Sequence, residues 1–446
     1  MSLAPVSAAR SPTFRHGVHP AEHKEGSSGI PIERLPFAGE YVLPLSQHLG
    51  APSAPVVEAG QRVRRGQVIA EPSGFVSVAL HAPVTGTVTA VDLRLHPNGK
   101  MMPAIVIETD PFDSQRLPEV APVDPAGLSG EELVQRVQQG GLVGLGGAAF
   151  PSHVKLRVPD DRRVEFVMIN GCECEPYLTC DDRLMLERTE AVVRGAEIIK
   201  TAVGAERVYI GVEANKPDAG AALRAAALPD MEVISLPVKY PQGAEKLLID
   251  AVLGKEVPMG GLPLDIEILV HNVGTAVAIV DLFERGIPVI ERIVTVTGPA
   301  VAHPRNLLIP LGTPISAAIE HCGGLLDDVH HVVLGGPMMG MALKSLDAPT
   351  IKGASGILCL DRASAIPVRE WACIRCGRCA EACPMFLNPT RLAQLVRGER
   401  VEELESHHLM NCFECAACSF VCPSRLPLVQ LLRMGKALLR DWKASQ

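Results

Sequence analysis

Apolar positions along this chain follow two periods. From Pro31 to about Asp110 they come in short alternating runs separated by turn residues, as in Tyr41-Val-Leu, Val56-Val-Glu, Gln67-Val-Ile-Ala and Ala104-Ile-Val-Ile-Glu108. Short strands so punctuated predict a small barrel or sandwich. Beyond Asp124 the period lengthens: Leu133, Val134 and Val137 share one face of a helix over Glu131–Gln138. Apolar runs at Glu165–Ile169, Arg207–Gly211 and Glu232–Leu236 predict buried strands. Between them, Asp181–Val203, Gly243–Leu253 and Val273–Glu284 predict helices, the first opened by an Asp cap. Such alternation predicts a mainly parallel α/β sheet covered on both faces, with ligands beyond the carboxyl ends of its strands.

Arg292-Ile-Val-Thr-Val-Thr-Gly298 opens a second small β-rich unit, which closes near Val332–Gly340 and holds one helix within Leu311–Gly324. Residues Met1 to Gly29 have no periodicity and predict an irregular arm, its His16 and His19 solvated. The expected modules are therefore an arm (1–30), a barrel-sandwich unit (31–115), an α/β domain (124–286), a small β unit (290–345) and a C-terminal unit (363–438). Helices are expected there over Thr390–Val396 and Glu402–Ser406.

Composition narrows the class. A chain of 446 residues exceeds one core and suits about three domains, or four with small modules. It is 47% hydrophobic and 21% charged, as soluble globular proteins are. A net charge of −8 with dispersed Arg and Lys gives nucleic-acid binding no electrostatic support. The most apolar stretch, Ile266–Phe283, is interrupted by His271, Asn272 and Asp281, so no membrane span is expected. The first thirty residues carry no apolar signal segment.

Eight of the thirteen cysteines fall in two copies of one spacing: Cys373-x-x-Cys376-x-x-Cys379-x-x-x-Cys383-Pro384 and Cys412-x-x-Cys415-x-x-Cys418-x-x-x-Cys422-Pro423. Three thiolates two residues apart wrap one 4Fe-4S cube, and the fourth, followed by Pro, ligates the other cluster. Cluster one is therefore expected on Cys373, Cys376, Cys379 and Cys422, and cluster two on Cys383, Cys412, Cys415 and Cys418. Zinc would use two pairs per metal, and disulfides need an oxidising compartment. Thiolate clusters without an export signal predict the cytoplasm. Such clusters carry single electrons, so a donor or acceptor should lie elsewhere in the chain.

The stretch Gly140-Gly-Leu-Val-Gly144-Leu-Gly146-Gly147-Ala-Ala-Phe150-Pro151 is where a donor would sit. Adjacent glycines let backbone N–H groups approach a phosphate, and Lys155 follows as a point charge. The spacing is not the usual dinucleotide pattern, and a plain glycine turn explains it equally well. The strand ending at Ile169 runs into Asn170-Gly-Cys172-Glu173-Cys174-Glu175-Pro176. Two acids and an Asn beyond a strand end need partners, which suggests a polar ligand. Tyr240-Pro-Gln-Gly243-Ala-Glu245 and His271-Asn272-Val273-Gly-Thr275 follow in equivalent places. Cys172, Cys174 and Cys180 are read as packing rather than redox groups, and Cys322 and Cys359 as core. Met338, Met339 and Met341 are read as packing too.

This order of motifs resembles the flavin-bearing, NADH-oxidising subunit of respiratory complex I. Gly60–Ala70 and His81–Val88 resemble a biotinyl/lipoyl-type barrel-sandwich module, but Phe75–Leu80 holds no carrier lysine, so a scaffold is expected. The small β unit resembles that subunit's soluble-ligand-binding β-grasp (SLBB) module. Taken together, from about Phe14 to Leu438, and including Pro44-Leu-Ser-Gln-His48, the chain resembles the RnfC/RsxC family, one of the subunits of the Rnf ion-translocating NADH:ferredoxin oxidoreductase. The implied fold is a multidomain α/β protein with small β modules: barrel-sandwich hybrid, Rossmann-like flavin domain, β-grasp and two-cluster ferredoxin domain.

The resemblance implies FMN at Gly146, Gly147, Lys155, Asn170, Gly243 and Asn272, and NADH beside Phe150, Glu173, Glu175 and Glu245. Complex I flavin subunits usually carry Arg near Val143 and Leu145 and Asp at Cys172, which this chain lacks. The family role is an oxidoreductase and translocase subunit at the cytoplasmic face of the inner membrane. NADH gives a hydride to FMN, and single electrons leave through two 4Fe-4S clusters to membrane-embedded partner subunits, with ferredoxin met indirectly. A cobalamin reductase of diol-utilising microcompartments has similar modules. A flavin-free relay or scaffold subunit is the reading from outside enzymology.

Overall fold

The computed structural model describes residues 12–365 and 369–446. The first part of the expected arm, 1–11, and residues 366–368 of the expected C-terminal unit lie outside it.

A four-stranded sheet and a three-stranded sheet build the barrel-sandwich unit. The first runs Glu40–Pro44, Met101–Thr109, Gly86–Leu95, Arg62–Val63; the second runs Ala54–Pro55, Val68–Glu71, Leu80–His81. Tyr41, Leu43, Val63, Ile69, Val88, Ile105 and Ile107 fill the space between them. The period-two alternation puts these residues inward. Val56-Val-Glu, expected to be a strand, lies just outside one, because pairing with Val68–Glu71 ends at Pro55. The tip around Phe75 does not swing free. Gln138 Nε2 donates to the carbonyls of Phe75 and Ser77 at 3.4 and 2.9 Å, and His153 Nε2 lies 2.6 Å from that of Phe75. Val78 then packs with Val143, Leu145 and Ala149 of the glycine loop.

The α/β domain holds a four-stranded parallel sheet, ordered Met231–Leu236, Arg207–Glu213, Phe166–Gly171, Ile268–Asn272. Three of its strands are buried on both faces, as the continuous apolar runs demand, while the edge strand Met231–Leu236 is partly exposed. Ser129 and Glu132 form a reciprocal capping box that starts the helix Gly130–Gln139. The single helix expected over Asp181–Val203 is two helices, Cys180–Glu187 and Thr189–Val203. The break falls at Arg188, whose φ of −129° leaves the helical region. Thr189 Oγ1 bonds back to the Met185 carbonyl at 2.6 Å, and the Arg188 guanidinium reaches Asp281 at 2.8 Å. Helix Thr189–Val203 crosses helix Val273–Arg285 where Gly195 lies on the Ala276 carbonyl; a Cβ there would overlap it. The helix Pro217–Ala226 stands between the second and third strands in sequence, where none was expected.

The β-grasp unit is larger than 290–345. Its six-stranded sheet runs Glu33–Arg34, Arg305–Pro310, Glu291–Thr297, Gly356–Asp361, Val329–Leu334, Met341–Ala342, with helix Ile315–His321. The first residues of the expected barrel-sandwich unit thus supply one edge strand, and the stretch between the expected small β unit and the C-terminal unit supplies a central one. The C-terminal unit packs Pro389–Arg397, Val401–Ser406 and Leu428–Ala444 around Leu392, Leu395, Leu404, Leu409 and Leu432. Among the described residues, no helix is long and apolar enough to cross a membrane.

Candidate functional site

In the α/β sheet the first strand, Phe166–Gly171, leads to neighbours on one side and is then flanked on the other by the last strand, Ile268–Asn272. The order of connection reverses between these two, which creates a crevice at their carboxyl ends. Asn170 and Asn272 lie there as directly paired residues. Asn170 Nδ2 donates to the Gly243 carbonyl at 2.8 Å, and its Oδ1 accepts from Cys172 N at 3.0 Å. Asn272 Oδ1 caps helix Val273–Arg285 by accepting from Gly274 N at 2.8 Å. Its Nδ2 donates to Asp181 Oδ2 at 2.7 Å.

The glycine loop lies over this crevice. A Cβ at Gly146 would stand 3.3 Å from Asn272 Cβ, so a side chain there would press on Asn272. Gly147 has a φ of +108°, with open space above it. The amides of Gly146 and Gly147 donate to no acceptor among the described residues. Side chains from elsewhere hold the rest of the loop. Leu145 N donates to Thr275 Oγ1 at 2.9 Å, Arg292 Nη2 to the Leu145 carbonyl at 2.7 Å, and the buried Lys352 Nζ to the Gly141 carbonyl at 2.6 Å. Burial lowers the Lys352 pKa to about 7.

The crevice therefore gathers Gly146, Gly147, Asn170, Gly243 and Asn272. Lys155 and Glu245 sit beside it as an ion pair at 3.0 Å, with Lys155 Nζ also on the Val270 carbonyl. Phe150 is half-buried, its carbonyl accepting from Gly144 N at 2.7 Å. Glu173 and Glu175 are engaged elsewhere. Glu173 receives Asp181 N at 2.9 Å and Asp182 N at 3.3 Å, at the amino end of helix Cys180–Glu187. Burial and the Glu173 charge push Asp181 and Asp182 each up to about 6. Glu175 accepts from Met338 N at 3.0 Å and Met339 N at 2.8 Å, joining the α/β domain to the β-grasp unit. The sequence gives no role to Arg292, Lys352 and Lys24, and none to Thr275 beyond its place in the motif. Lys24 Nζ donates to the carbonyls of Glu173, Glu175 and Leu178 at 2.8, 3.1 and 2.5 Å. None has a local signal, because each acts on a loop distant from it in sequence.

Cysteines of the two motifs lie together. Cys373, Cys376, Cys379 and Cys422 line one pocket. Cys383 lies against Cys412, Cys415 and Cys418: burial, then Cys412 and Cys383, pushes Cys415 up to about 12. In each motif the amide two residues after the first cysteine donates to that sulfur, Arg375 N to Cys373 and Glu414 N to Cys412, both at 3.4 Å. Among the described residues, no set is drawn close enough to hold a lone metal ion. Two sets of four thiols with amide donors at the sulfurs suit 4Fe-4S cubes. The open amides over the crevice, with a lysine beside them, likewise suit the phosphate of a flavin.

The α/β domain meets the second cysteine motif at Tyr240. Tyr240, 1% exposed, packs with Val18, Ala382 and Ala417 and against Cys174 and Cys415. The arm threads this junction. Val18 pairs with Tyr240 through both backbone bonds at 2.9 Å, and Gly17 N reaches the Ala382 carbonyl at 3.2 Å. His19 and Lys24, with Glu213 and Tyr240, line a cavity of about 200 Å³ under the arm. Cys373 and Cys376, in the other set, are exposed.

Fold and site define a modular flavin and iron–sulfur oxidoreductase subunit. Models of known families agree along the chain: the RnfC barrel sandwich hybrid domain over residues 12–111, the Nuo51 FMN-binding domain over 137–281, the SLBB domain over 293–342 and the 4Fe-4S dicluster domain over 371–426. The chain is 43% identical over 95% of its length to the corresponding subunit of the proton-translocating ferredoxin:NAD(+) oxidoreductase complex of Clostridium ljungdahlii, of which it covers 93%. It is 42% identical over 95% of its length to the Na(+)-translocating counterpart of Acetobacterium woodii, covering 96%. With the equivalent subunit of the ion-translocating oxidoreductase complex of Pseudomonas aeruginosa it is 42% identical over 96% of its length and covers 56% of that longer chain. The chain belongs to the RnfC family of ion-translocating oxidoreductase subunits.

Proposed function

We propose that this chain is the NADH-oxidising input subunit of an Rnf-type ion-translocating complex, peripheral at the cytoplasmic face of the inner membrane. Bound at the crevice, FMN would supply hydride acceptance and one-electron release, and two 4Fe-4S clusters would supply single-electron carriage. The residues divide the work. The Gly146 and Gly147 amides and Lys155 receive the flavin phosphate, and Asn170, Gly243 and Asn272 shape the floor beneath the flavin. Phe150 and Glu245 border the open side where NADH would stack, while Glu173 and Glu175 hold the neighbouring loop. Cys383, Cys412, Cys415 and Cys418 hold the cluster facing the α/β domain. Cys373, Cys376, Cys379 and Cys422 hold the outer one, toward the membrane-embedded partner subunits; ferredoxin is met only through them.

The observation that carries this reading is the junction itself. Tyr240, three residues before the crevice residue Gly243, bonds through its hydroxyl to the backbone of Cys415, so the domain with the open glycine loop meets a four-thiol set directly. The test is anaerobic purification with iron, sulfide and flavin analysis, then NADH titration followed in the visible and by EPR. About eight irons and one FMN per chain, with flavin bleaching before the clusters are reduced, is the expected result. Eight irons with no flavin and no response to NADH would leave only an electron relay.

A further inference from the structure

Arg292 belongs to the β-grasp strand Glu291–Thr297, yet its guanidinium lies under the glycine loop of the α/β domain. It is 5% exposed. Nη2 donates to the Leu145 carbonyl at 2.7 Å and Nε to the Ala354 carbonyl at 2.9 Å. The remaining nitrogen, Nη1, stands 3.6 Å from where a Cβ of Gly274 would be. Gly274 is the second residue of the thirteen-residue helix Val273–Arg285, whose amino end opens on the crevice.

We propose that Arg292 is a positioning residue of the flavin phosphate site, an inference that rests on the FMN reading above. Three observations converge on it. Drawing the Leu145 carbonyl inward leaves the next two amides, Gly146 and Gly147, free of acceptors among the described residues, with open space above Gly147. The helix amino end beside Nη1 adds the positive end of its dipole to the same spot. And the charges differ in their partners: Lys155 is already paired with Glu245 at 3.0 Å, whereas Arg292 has no salt bridge among the described residues. Asp181, an acid whose charge reaches it, gives its oxygen to Asn272. A guanidinium keeps its proton even when buried, and a buried cation needs an anion. A phosphate dianion on the loop above would meet that need, with little water between to screen it.

A mere brace would hold the loop for any flavin. A phosphate-positioning residue distinguishes FMN from riboflavin, which has the same ring and no phosphate. The experiment strips flavin from the purified holoprotein and titrates FMN and riboflavin back, reading the quenching of flavin fluorescence. Iron per chain and the melting temperature report the fold. Arg292→Met should weaken FMN about tenfold or more, the range of a lost charge-assisted bond, while riboflavin changes little. Arg292→Lys, which keeps the charge, should recover most of the FMN affinity. If Arg292→Met loses its iron, Arg292→Gln, which keeps a donor to Leu145 without the charge, carries the same comparison. Equal loss of both flavins, or loss of neither, overturns the inference and leaves the FMN reading standing. A wild-type protein that binds neither flavin removes both.

Discussion

The hydroxyl of Tyr240 donates to the carbonyl of Cys415 at 2.7 Å, so a residue of the α/β domain is bonded directly to the backbone of a cluster-binding loop. The phenol is buried, and its own backbone is paired with Val18 of the arm. Removing the hydroxyl should cost about 1 kcal/mol of docking. It should also alter the environment of one cluster only. In Tyr240→Phe the EPR signal of the second-motif cluster is expected to shift while that of the first-motif cluster stays put. Equal shifts in both would show that the contact is not specific to the inner loop.

Lys24 ties the acidic loop from outside its domain, donating hydrogen bonds to the carbonyls of Glu173, Glu175 and Leu178. Bonds from a charged donor are worth about 1.5–3 kcal/mol each when isolated, less as a set. Lys24→Met should lower stability by about 2 kcal/mol. Amide exchange over 173–178 should accelerate more than in the sheet beneath. Unchanged exchange there would show that the loop holds itself.

Glu175 gives a pH dependence with a definite sign. Burial pushes its carboxyl up to about 7, although the Met338 and Met339 amides favour the ionised form. A carboxyl raised above its unfolded value of about 4.3 stabilises the fold most below that value, and the contribution is lost as the pH rises through the folded value. The melting temperature of wild type relative to Glu175→Gln should therefore fall between about pH 4 and pH 7. A flat difference would place the carboxyl in a wetter setting.

The crossover of the fourth cysteines is open to direct test. Cys415→Ser and Cys383→Ser should each lower iron from about eight to about four per chain and remove the same EPR signal. Cys376→Ser and Cys422→Ser should remove the other. A shared loss between Cys383→Ser and Cys376→Ser would instead put each motif on its own cube.

Local pattern made part of this molecule legible. The cysteine spacing separates two sets because a loop of fixed spacing has few ways to wrap one object. The parallel strands are visible because a strand buried on both faces must be apolar throughout. Where the reading strayed, the deciding contact came from afar. The Arg188 break depends on Asp281, ninety-three residues on. The strand Gly356–Asp361 fell between the expected modules because its partners, Glu291–Thr297 and Val329–Leu334, lie earlier in the chain. The carboxylates of Glu173 and Glu175, in the motif read as bordering nicotinamide, likewise accept from backbone amides that lie further along the chain. A strand end fixes where a loop starts; which way its side chains turn is fixed by what docks on it.

The Phe75 tip, sealed against Gln138 and His153, has a consequence for how this protein can be divided. The nest proposed for the cofactor is walled by the tip of one module, floored by a second, and bolted from beneath by Arg292 and Lys352 of a third. It is therefore a property of their assembly rather than of any single fold. A fragment spanning 124–286 would keep every glycine of the loop and lose the shape that makes them useful. In a growing chain the pocket would close only after the ribosome had passed Lys352, with the cysteine motifs still to come.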